Sequence, residues 1–254
     1  MKLIFFGTAG ADQSKDNTNV SFSVVEKKLL ILVDSSGNPV QSLKRAGIDP
    51  TKLDALILTH SHIDHIYAVP SLIHNLWLMK RKKPLSIISN QFTTNKAKEL
   101  CNIFSLLSKE GLFWINWVNI DEGETDVFPG VKIQLFPVLH STPTSGIKII
   151  TSTSSLVYSS DTTPSKEVIS RARGVKALIH EASGTLNLEE KLNKSGHSSA
   201  RQAGEAAEKA GVKYLFLCHF DFSEGSTQDK VEFEAKSSFH GKVIIPNLFR
   251  FYEV

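Results

Sequence analysis

The segment Thr59–His65 reads Thr-His-Ser-His-Ile-Asp-His and directly follows an apolar run. His60 and His62 are two positions apart, so in an extended chain their side chains point to the same side. Asp64 and His65 follow at the next turn, where they can face a second ion. Neutral imidazole and carboxylate groups together suit zinc, manganese or iron better than calcium or magnesium. This density of ligand groups therefore predicts a metal site rather than a run of surface histidines.

Polar residues with metal-binding or proton-transfer capability also follow four later predicted strands. They are His140, Asp161, the pair His180-Glu181, and His219. Chemistry in layered α/β proteins gathers at strand ends, where loops bring distant residues together. We therefore expect these groups to converge on the histidine segment.

The expected ligands divide into two sets that share one carboxylate. The sets are His60, His62 and His140 for one ion, Asp64, His65 and His219 for the other, and Asp161 between them. Each ion then has about four protein ligands with room for a shared water. Two divalent cations in this arrangement would lower the pKa of such a water to about 7.

The apolar patterning predicts the elements that must position these groups. Strands are predicted at 2–6, 20–25, 29–33, 55–58, 85–89, 112–118, 131–139, 147–151, 156–159, 176–179 and 214–217, and helices at 38–46, 66–80 (interrupted by Pro70), 93–107, 165–173 and 198–210. Segments 229–238 and 242–245 close the chain, and 143–146 is predicted to be a short turn. Early strands followed by strand–helix units predict two sheets with helices outside, a four-layer αββα arrangement in a single α/β domain over 1–254.

Composition sets wider limits on the function. The 254 residues are 41% hydrophobic and 22% charged, which is enough to bury a full core. We expect no signal peptide and no membrane span, and Cys101 and Cys218 do not suggest a disulfide framework. A reducing cytoplasm is therefore the expected compartment. The net charge of +3 neither requires nor excludes nucleic acid, and the dense basic cluster 80–83 is either a solvated helix end or a phosphate contact.

Several motifs together resemble the metallo-β-lactamase superfamily and, more narrowly, ribonuclease Z, the endonuclease family that trims tRNA precursors at their 3′ end. Besides Thr59–His65, the similar segments are 7–10 (Gly-Thr-Ala-Gly), 46–50 (Ala-Gly-Ile-Asp-Pro), 158–162 (Tyr-Ser-Ser-Asp-Thr), 180–183 (His-Glu-Ala-Ser), 196–200 (Gly-His-Ser-Ser-Ala) and 217–220 (Leu-Cys-His-Phe). The loops at 180–183 and 196–200 are the ones that distinguish ribonuclease Z from lactamase or glyoxalase relatives.

The resemblance implies a function and a set of roles. It implies a dinuclear, metal-dependent phosphodiesterase with two divalent ions, zinc above all, with manganese or iron possible. Asp64 would be the base and His197 the general acid, with Glu181 orienting and charging its imidazole; the role of His180 is left open. The substrate would be RNA (a tRNA precursor) or a smaller phosphodiester, and the protein would form a homodimer.

The chain departs from the ribonuclease Z pattern where that family contacts tRNA. Only 20 residues separate His140 from Asp161, which leaves no room for the family's long tRNA-binding arm. Segment 220–222 lacks the family's phosphate-contacting residues, segment 14–17 lacks its arginine, and 34–37 differs from its usual glycine-rich run. Hydrolysis is thus better supported than tRNA as the substrate.

Two other functions compete with phosphodiester hydrolysis. A glyoxalase-like enzyme would hydrolyse a thioester or carboxyl ester, but such a reaction needs no strong general acid, so the Glu181/His197 pair argues against it. A metal-bound binding protein without turnover is the second alternative. Asp64 argues against that one, because a protein without catalysis has little need for a base.

Overall fold

The structure, a computed structural model, describes residues 1–222 and 224–254. Its strands are β1 (Lys2–Gly7), β2 (Ser21–Glu26), β3 (Leu29–Val33), β4 (Ala55–Ile57), β5 (Leu85–Ser89), β6 (Ile115–Asn119), β7 (Gly123–Phe128), β8 (Val131–Val138), β9 (Thr144–Thr151), β10 (Ser155–Tyr158), β11 (Ala177–Glu181), β12 (Tyr214–Cys218), β13 (Lys242–Ile244) and β14 (Phe251–Glu253). Its α-helices are α1 (Pro39–Arg45), α2 (Ile63–Ile66), α3 (Val69–Leu78), α4 (Gln91–Ile103), α5 (Lys166–Ala172), α6 (Glu189–Ser195), α7 (Ala200–Ala210) and α8 (Gln228–Ser238). Short 3-10 helices lie at Pro50–Lys52 and Leu186–Leu188.

The strands form two mixed sheets. Within the described residues, one sheet has the order β14-β1-β2-β3-β4-β5-β6 and the other the order β13-β12-β11-β10-β9-β8-β7. Strands β3 to β6 are parallel to one another, as are β10 to β13. Parallel strands end at a common edge, so each sheet presents several strand ends to the same side of the molecule.

A shared apolar core joins the inner faces of the two sheets. The rings of Phe5 and Phe216 stack with centroids 5.8 Å apart, and Phe22 meets Tyr158 edge-on at 5.2 Å. Each such pair contributes about 0.5–1.5 kcal/mol beyond the burial of its area. Side chains alternate between the faces of a strand, so in β1 the residue Phe5 enters this core whereas its neighbour Phe6 packs on the outer side.

Helices cover both outer faces. Apolar residues of α1, α3 and α4 pack on the first sheet, and those of α5, α7 and α8 pack on the second. The arrangement confirms the predicted four-layer αββα fold. None of the described helices has both the length and the apolar character that crossing a bilayer requires.

The elements that the sequence did not predict lack an apolar signal. Strands β7 and β14 lie at sheet edges, and α6 buries none of its residues.

The predicted turn at 143–146 is wrong, because β9 begins at Thr144 and pairs with β8 through Phe136↔Gly146 and Val138↔Thr144. This extension depends on backbone pairing of small, polar residues. The predicted helix 66–80 is divided into α2 and α3, with Pro70 in the first turn of α3.

The basic cluster 80–83 contains one deeply buried cation. Arg81 is 3% exposed, and its guanidinium donates hydrogen bonds to four backbone carbonyls, those of Thr51, Leu53, Lys83 and Pro84. Burial lowers the pKa of Arg81 to about 10. Arg81 therefore links the loop before β4 to the loop before β5, and is not part of a solvated surface.

Replacing Arg81 by alanine is expected to lower the free energy of unfolding by about 2–4 kcal/mol, because buried carbonyls lose their donors. Lys82→Ala is the matched control, since Lys82 is exposed and should change stability by less than about 0.5 kcal/mol. Urea denaturation followed by circular dichroism measures both. Equal stability of the two variants would contradict the structural role of Arg81.

Candidate metal centre

The edge where the strands end carries the residues singled out in the sequence. After β4 the chain stays extended through His60 and His62, and α2 then begins, with Asp64 and His65 in its single turn. From the second sheet, β8 leads to His140, β10 to Asp161, β11 ends at Glu181 and β12 leads to His219. The αββα fold thus places the ends of both sheets beside one cluster.

The first group of candidate ligands combines three imidazoles and a carboxylate. Its members His60, His62, His140 and Asp161 each offer one ligand atom, and these atoms all lie within 4.8 Å of one another. His62 Nδ1 is 3.2 Å from His60 Nε2 and 3.0 Å from His140 Nε2. Ring nitrogens this close and facing each other can share one cation.

A second group lies beside the first. Asp64, His65 and His219 bring their ligand atoms within the same 4.8 Å limit. Asp64 Oδ2 is 3.4 Å from His65 Nε2 and 3.6 Å from His219 Nε2. The structure thus brings together the residues of each group that the sequence predicted to be neighbours.

Asp161 lies between the groups. Its Oδ2 is 3.6 Å from His60 Nε2 in the first group, and 3.1 Å from His219 Nε2 and 3.4 Å from His65 Nε2 in the second. Among the described residues, Asp161 Oδ1, His65 Nε2 and His219 Nε2 are buried polar atoms that make no hydrogen bond of favourable angle, although both nitrogens lie near carboxylate oxygens. Buried polar atoms are nearly always satisfied, so these three fit a pair of cations well.

The pKa values of the histidines in the cluster also indicate a cation site. Burial lowers the pKa of His60, His62 and His140, which keeps them neutral and able to bind a cation. Burial also acts to lower the pKa of His219, but Asp161 and Asp64 outweigh it and raise that pKa to about 10. In His65, likewise, the effect of Asp161 and Asp34 exceeds that of burial and raises the pKa. The raised pKa values of these two imidazoles indicate a negative electrostatic potential at the site. A divalent cation that binds there would displace their protons.

Residues behind the cluster fix the orientation of the ligands. Asp34, at the end of β3, accepts a hydrogen bond from His65 Nδ1 at 2.8 Å and is itself held by the backbone N–H and hydroxyl of Thr59. His140 Nδ1 donates to the carbonyl of Gly196 at 2.8 Å. These bonds leave Nε2 of each ring facing the cluster. Sequence reasoning missed the role of Asp34; the signal available was a carboxylate at the end of the strand beside β4.

Replacing Asp34 by asparagine is expected to weaken metal binding by about 10- to 100-fold, the usual effect of losing such a supporting carboxylate. Asparagine tolerates the left-handed backbone of Asp34 (φ 56°), so the fold should persist. Competition with a chromophoric chelator measures the affinity. Asp49→Asn is the control, because Asp49 caps the 3-10 helix Pro50–Lys52 away from the cluster. Unchanged affinity of the Asp34 variant would contradict the role.

Glu181 and His197 form a hydrogen-bonded pair beside the ligands. His197 Nδ1 is 3.1 Å from Glu181 Oε1, and Glu181 is fully buried and also accepts bonds from the N–H of Thr162 and the hydroxyl of Ser183. Burial acts to lower the pKa of His197, but the charge and hydrogen bond of Glu181 raise it above its usual value. His197 can therefore carry a proton near neutral pH, and it lies close enough to Asp161 to face the same reacting group.

Gly196, the residue before His197, allows the backbone to pass close to the ring of His140. It ends α6 with φ 89°, and a Cβ at this position would lie 2.6 Å from His140 Nδ1. Only glycine satisfies both conditions. The structure places His180 elsewhere: it is buried, and its Nδ1 bonds to the carbonyl of Glu181 at 2.7 Å.

Comparisons with known proteins agree with this fold. A family model described as "Beta-lactamase superfamily domain" matches residues 30–220. Ribonuclease Z of Methanothermobacter thermautotrophicus is 25% identical over 86% of this chain and 86% of its own length. Among solved structures, the metallo-beta-lactamase fold protein YhfI from Bacillus subtilis superposes with a TM-score of 0.85 at 20% identity, covering 99% of this chain and 98% of that one. The short form of human tRNase Z superposes with a TM-score of 0.79 at 17% identity, covering 100% and 99%. At these identities the two solved structures show a common fold.

Proposed function

Because the chain belongs to the beta-lactamase superfamily, we propose that it is a metal-dependent phosphodiesterase. The hydrolase class predicted from the sequence agrees with the superfamily match and with the names of the similar proteins. One observation carries the finer assignment: the buried Glu181 holds His197 beside two groups of candidate metal ligands. Hydrolysis of an alkyl phosphodiester needs a proton for its leaving oxygen, and His197 is a group that can provide it.

The metal ligands in this proposal are those of the two groups described above. His60, His62 and His140 would hold one ion, Asp64, His65 and His219 the other, with Asp161 shared. When bound, two divalent ions supply Lewis acidity toward the phosphate oxygens and lower the pKa of water. Zinc is the expected metal, and manganese or iron would suit the same ligands.

The chain's own residues would handle the protons. Asp64 directs Oδ2 toward His65 and His219, so its other oxygen is available to accept a proton from the attacking water. A bond forms between that water's oxygen and phosphorus, and the bond from phosphorus to the leaving oxygen breaks. His197 gives its proton to that leaving oxygen. The products are a phosphomonoester and an alcohol, so atoms and charge balance.

The test uses protein loaded with zinc or manganese and three substrates: bis(p-nitrophenyl) phosphate, a thioester and a lactam. We expect hydrolysis of the diester, stopped by a chelator and reduced about 10²- to 10⁴-fold or more in Asp64→Ala, because the base and one proposed ligand of the second ion are lost together. Asp229→Ala, on the exposed side of α8, should retain full activity. Thioester hydrolysis alone would instead assign a glyoxalase-like activity, and two bound ions without any turnover would assign a binding protein.

An RNA 3′ end and a smaller phosphodiester both fit the chemistry above. The single domain over 1–254, the homodimer and the cytoplasmic location expected from the sequence stay predictions.

A further inference from the structure

The surroundings of His197 bear on which diester is cleaved, and the inference drawn here rests on the proposed function. A cleft of about 210 Å³ opens beside His197 and His219. Apolar side chains from α6 and the residues before it form part of its wall, notably Leu188 and Leu192, and Ala11 of the first loop faces them. Pockets for drug-sized ligands span roughly 300–1,000 Å³. This cleft therefore holds one compact group.

The charges of the cleft do not favour a polyanion. Among the described residues that line it, Lys191 is the one ammonium group, and it forms an ion pair with Glu224. Asp221 lines the same cleft, and Asp12 lines the neighbouring hollow against Phe220. RNA binding depends on lysine and arginine side chains that neutralise successive phosphates. Apart from the candidate ligand His219, the cationic groups among the described lining residues are Lys191 and His197, and each already faces a carboxylate, Glu224 and Glu181 respectively. They therefore leave no unpaired cation to neutralise the phosphates that flank a scissile bond in RNA.

The basic cluster 80–83 lies too far away to compensate. It precedes β5, whereas the candidate metal centre lies at the ends of the parallel strands β3 and β4, so the five residues of β5, roughly 16 Å of extended chain, separate the two edges. In addition, the guanidinium of Arg81 is bonded to carbonyls, and Lys83 is paired with Asp54. The cluster therefore does not supply cations to the cleft beside His197.

The cleft lies on the side of the candidate metal centre where the leaving half of the substrate would be. His197 would protonate the leaving oxygen, so the organic group attached to that oxygen lies on the side of His197, where the cleft is. We propose that this cleft binds the compact, uncharged leaving group of a small diester that carries a single phosphate. Positive charge from bound ions would serve that one phosphate, and the described residues that line the cleft offer no unpaired cation for a second.

The test compares kcat/KM for two alkyl diesters that share the same phosphoryl half. Their leaving alcohols are glycerol and glycerol 3-phosphate, and a 3′-extended tRNA precursor is the third substrate. We expect the neutral alcohol to be preferred by about tenfold or more, because like charges brought together are costly. We also expect little dependence on salt. A higher kcat/KM for the tRNA precursor, falling steeply with salt, would overturn the inference while leaving the phosphodiesterase intact.

A pair of variants tests the role of the ion pair. Glu224→Gln frees Lys191, so the preference against the phosphorylated leaving alcohol should fall about three- to tenfold. Glu190→Gln removes the exposed partner of Lys194 on the same helix and should leave the preference unchanged. An unchanged preference in Glu224→Gln would overturn the assignment of the cleft. If the wild-type protein cleaves neither diester nor the precursor, the proposed function itself fails, which is a different result from a preference for RNA.

Discussion

Replacing Asp161 by asparagine is expected to reduce kcat/KM for phosphodiester hydrolysis by about 10³-fold or more, because the ligand proposed to be shared would contribute several kcal/mol through both ions. The carboxylate oxygen Oδ2 lies within 4 Å of Nε2 atoms from both candidate groups, namely His60, His65, His140 and His219. Loss of its negative charge would leave those imidazoles without a common anionic partner. Asparagine has nearly the same shape, so the fold should persist.

Elemental analysis and steady-state kinetics on the same preparation check this prediction. We expect the metal content to fall below two ions per chain as the activity is lost. Asp121→Asn is the matched control, since Asp121 is exposed and accepts a hydrogen bond from the N–H of Gln91 at the start of α4. Full activity of the Asp161 variant with two ions bound would contradict a bridging role.

The sequence contained enough information to predict the two groups of candidate ligands. Histidines are scarce, and here six of the nine in the chain stand within two residues of the end of a predicted strand or in the segment Thr59–His65. Parallel strands end at one edge, so a residue such as His219 could be assigned to the cluster without any knowledge of distances. The αββα fold followed from the same alternation of strands and helices.

The supporting residues could not be predicted in this way. Asp34 and Thr59 are common residue types at strand ends, and only the pairing of β3 with β4 shows that they meet. Gly196 is one glycine among several until the ring of His140 is seen against it. Orientation of a ligand depends on such contacts between distant segments, which residue type and spacing do not encode. The edge strand β7, with its polar residues, was missed for the related reason that it has little apolar pattern.

The second large effect is expected at His197, and it should depend on the leaving group. In His197→Ala, hydrolysis of an alkyl phosphodiester should fall by about 10²- to 10⁴-fold, the usual contribution of a general acid. An alkoxide needs a proton as it departs, and Glu181 raises the pKa of His197, which favours the protonated imidazole that the proposed step requires. A p-nitrophenolate leaves as a stable anion without a proton. The same variant should therefore hydrolyse bis(p-nitrophenyl) phosphate within a few-fold of the wild-type rate.

This difference between leaving groups separates an acid from a structural residue. If His197 only shaped the cleft or supported His140, its loss would slow both substrates by the same factor. Glu181→Gln should show the same selectivity with a smaller effect, because His197 stays in place but holds its proton less firmly. His240→Ala is the control, since His240 is an exposed histidine that also pairs with a glutamate, Glu208. His240 lies just before β13 and Glu208 lies in the last turn of α7, so the pair stands at the edge where the parallel strands begin, opposite the candidate metal centre. Equal losses on alkyl and aryl diesters in the His197 variant would remove the general acid from the proposed mechanism, and with it the main reason for choosing a phosphodiester over a thioester.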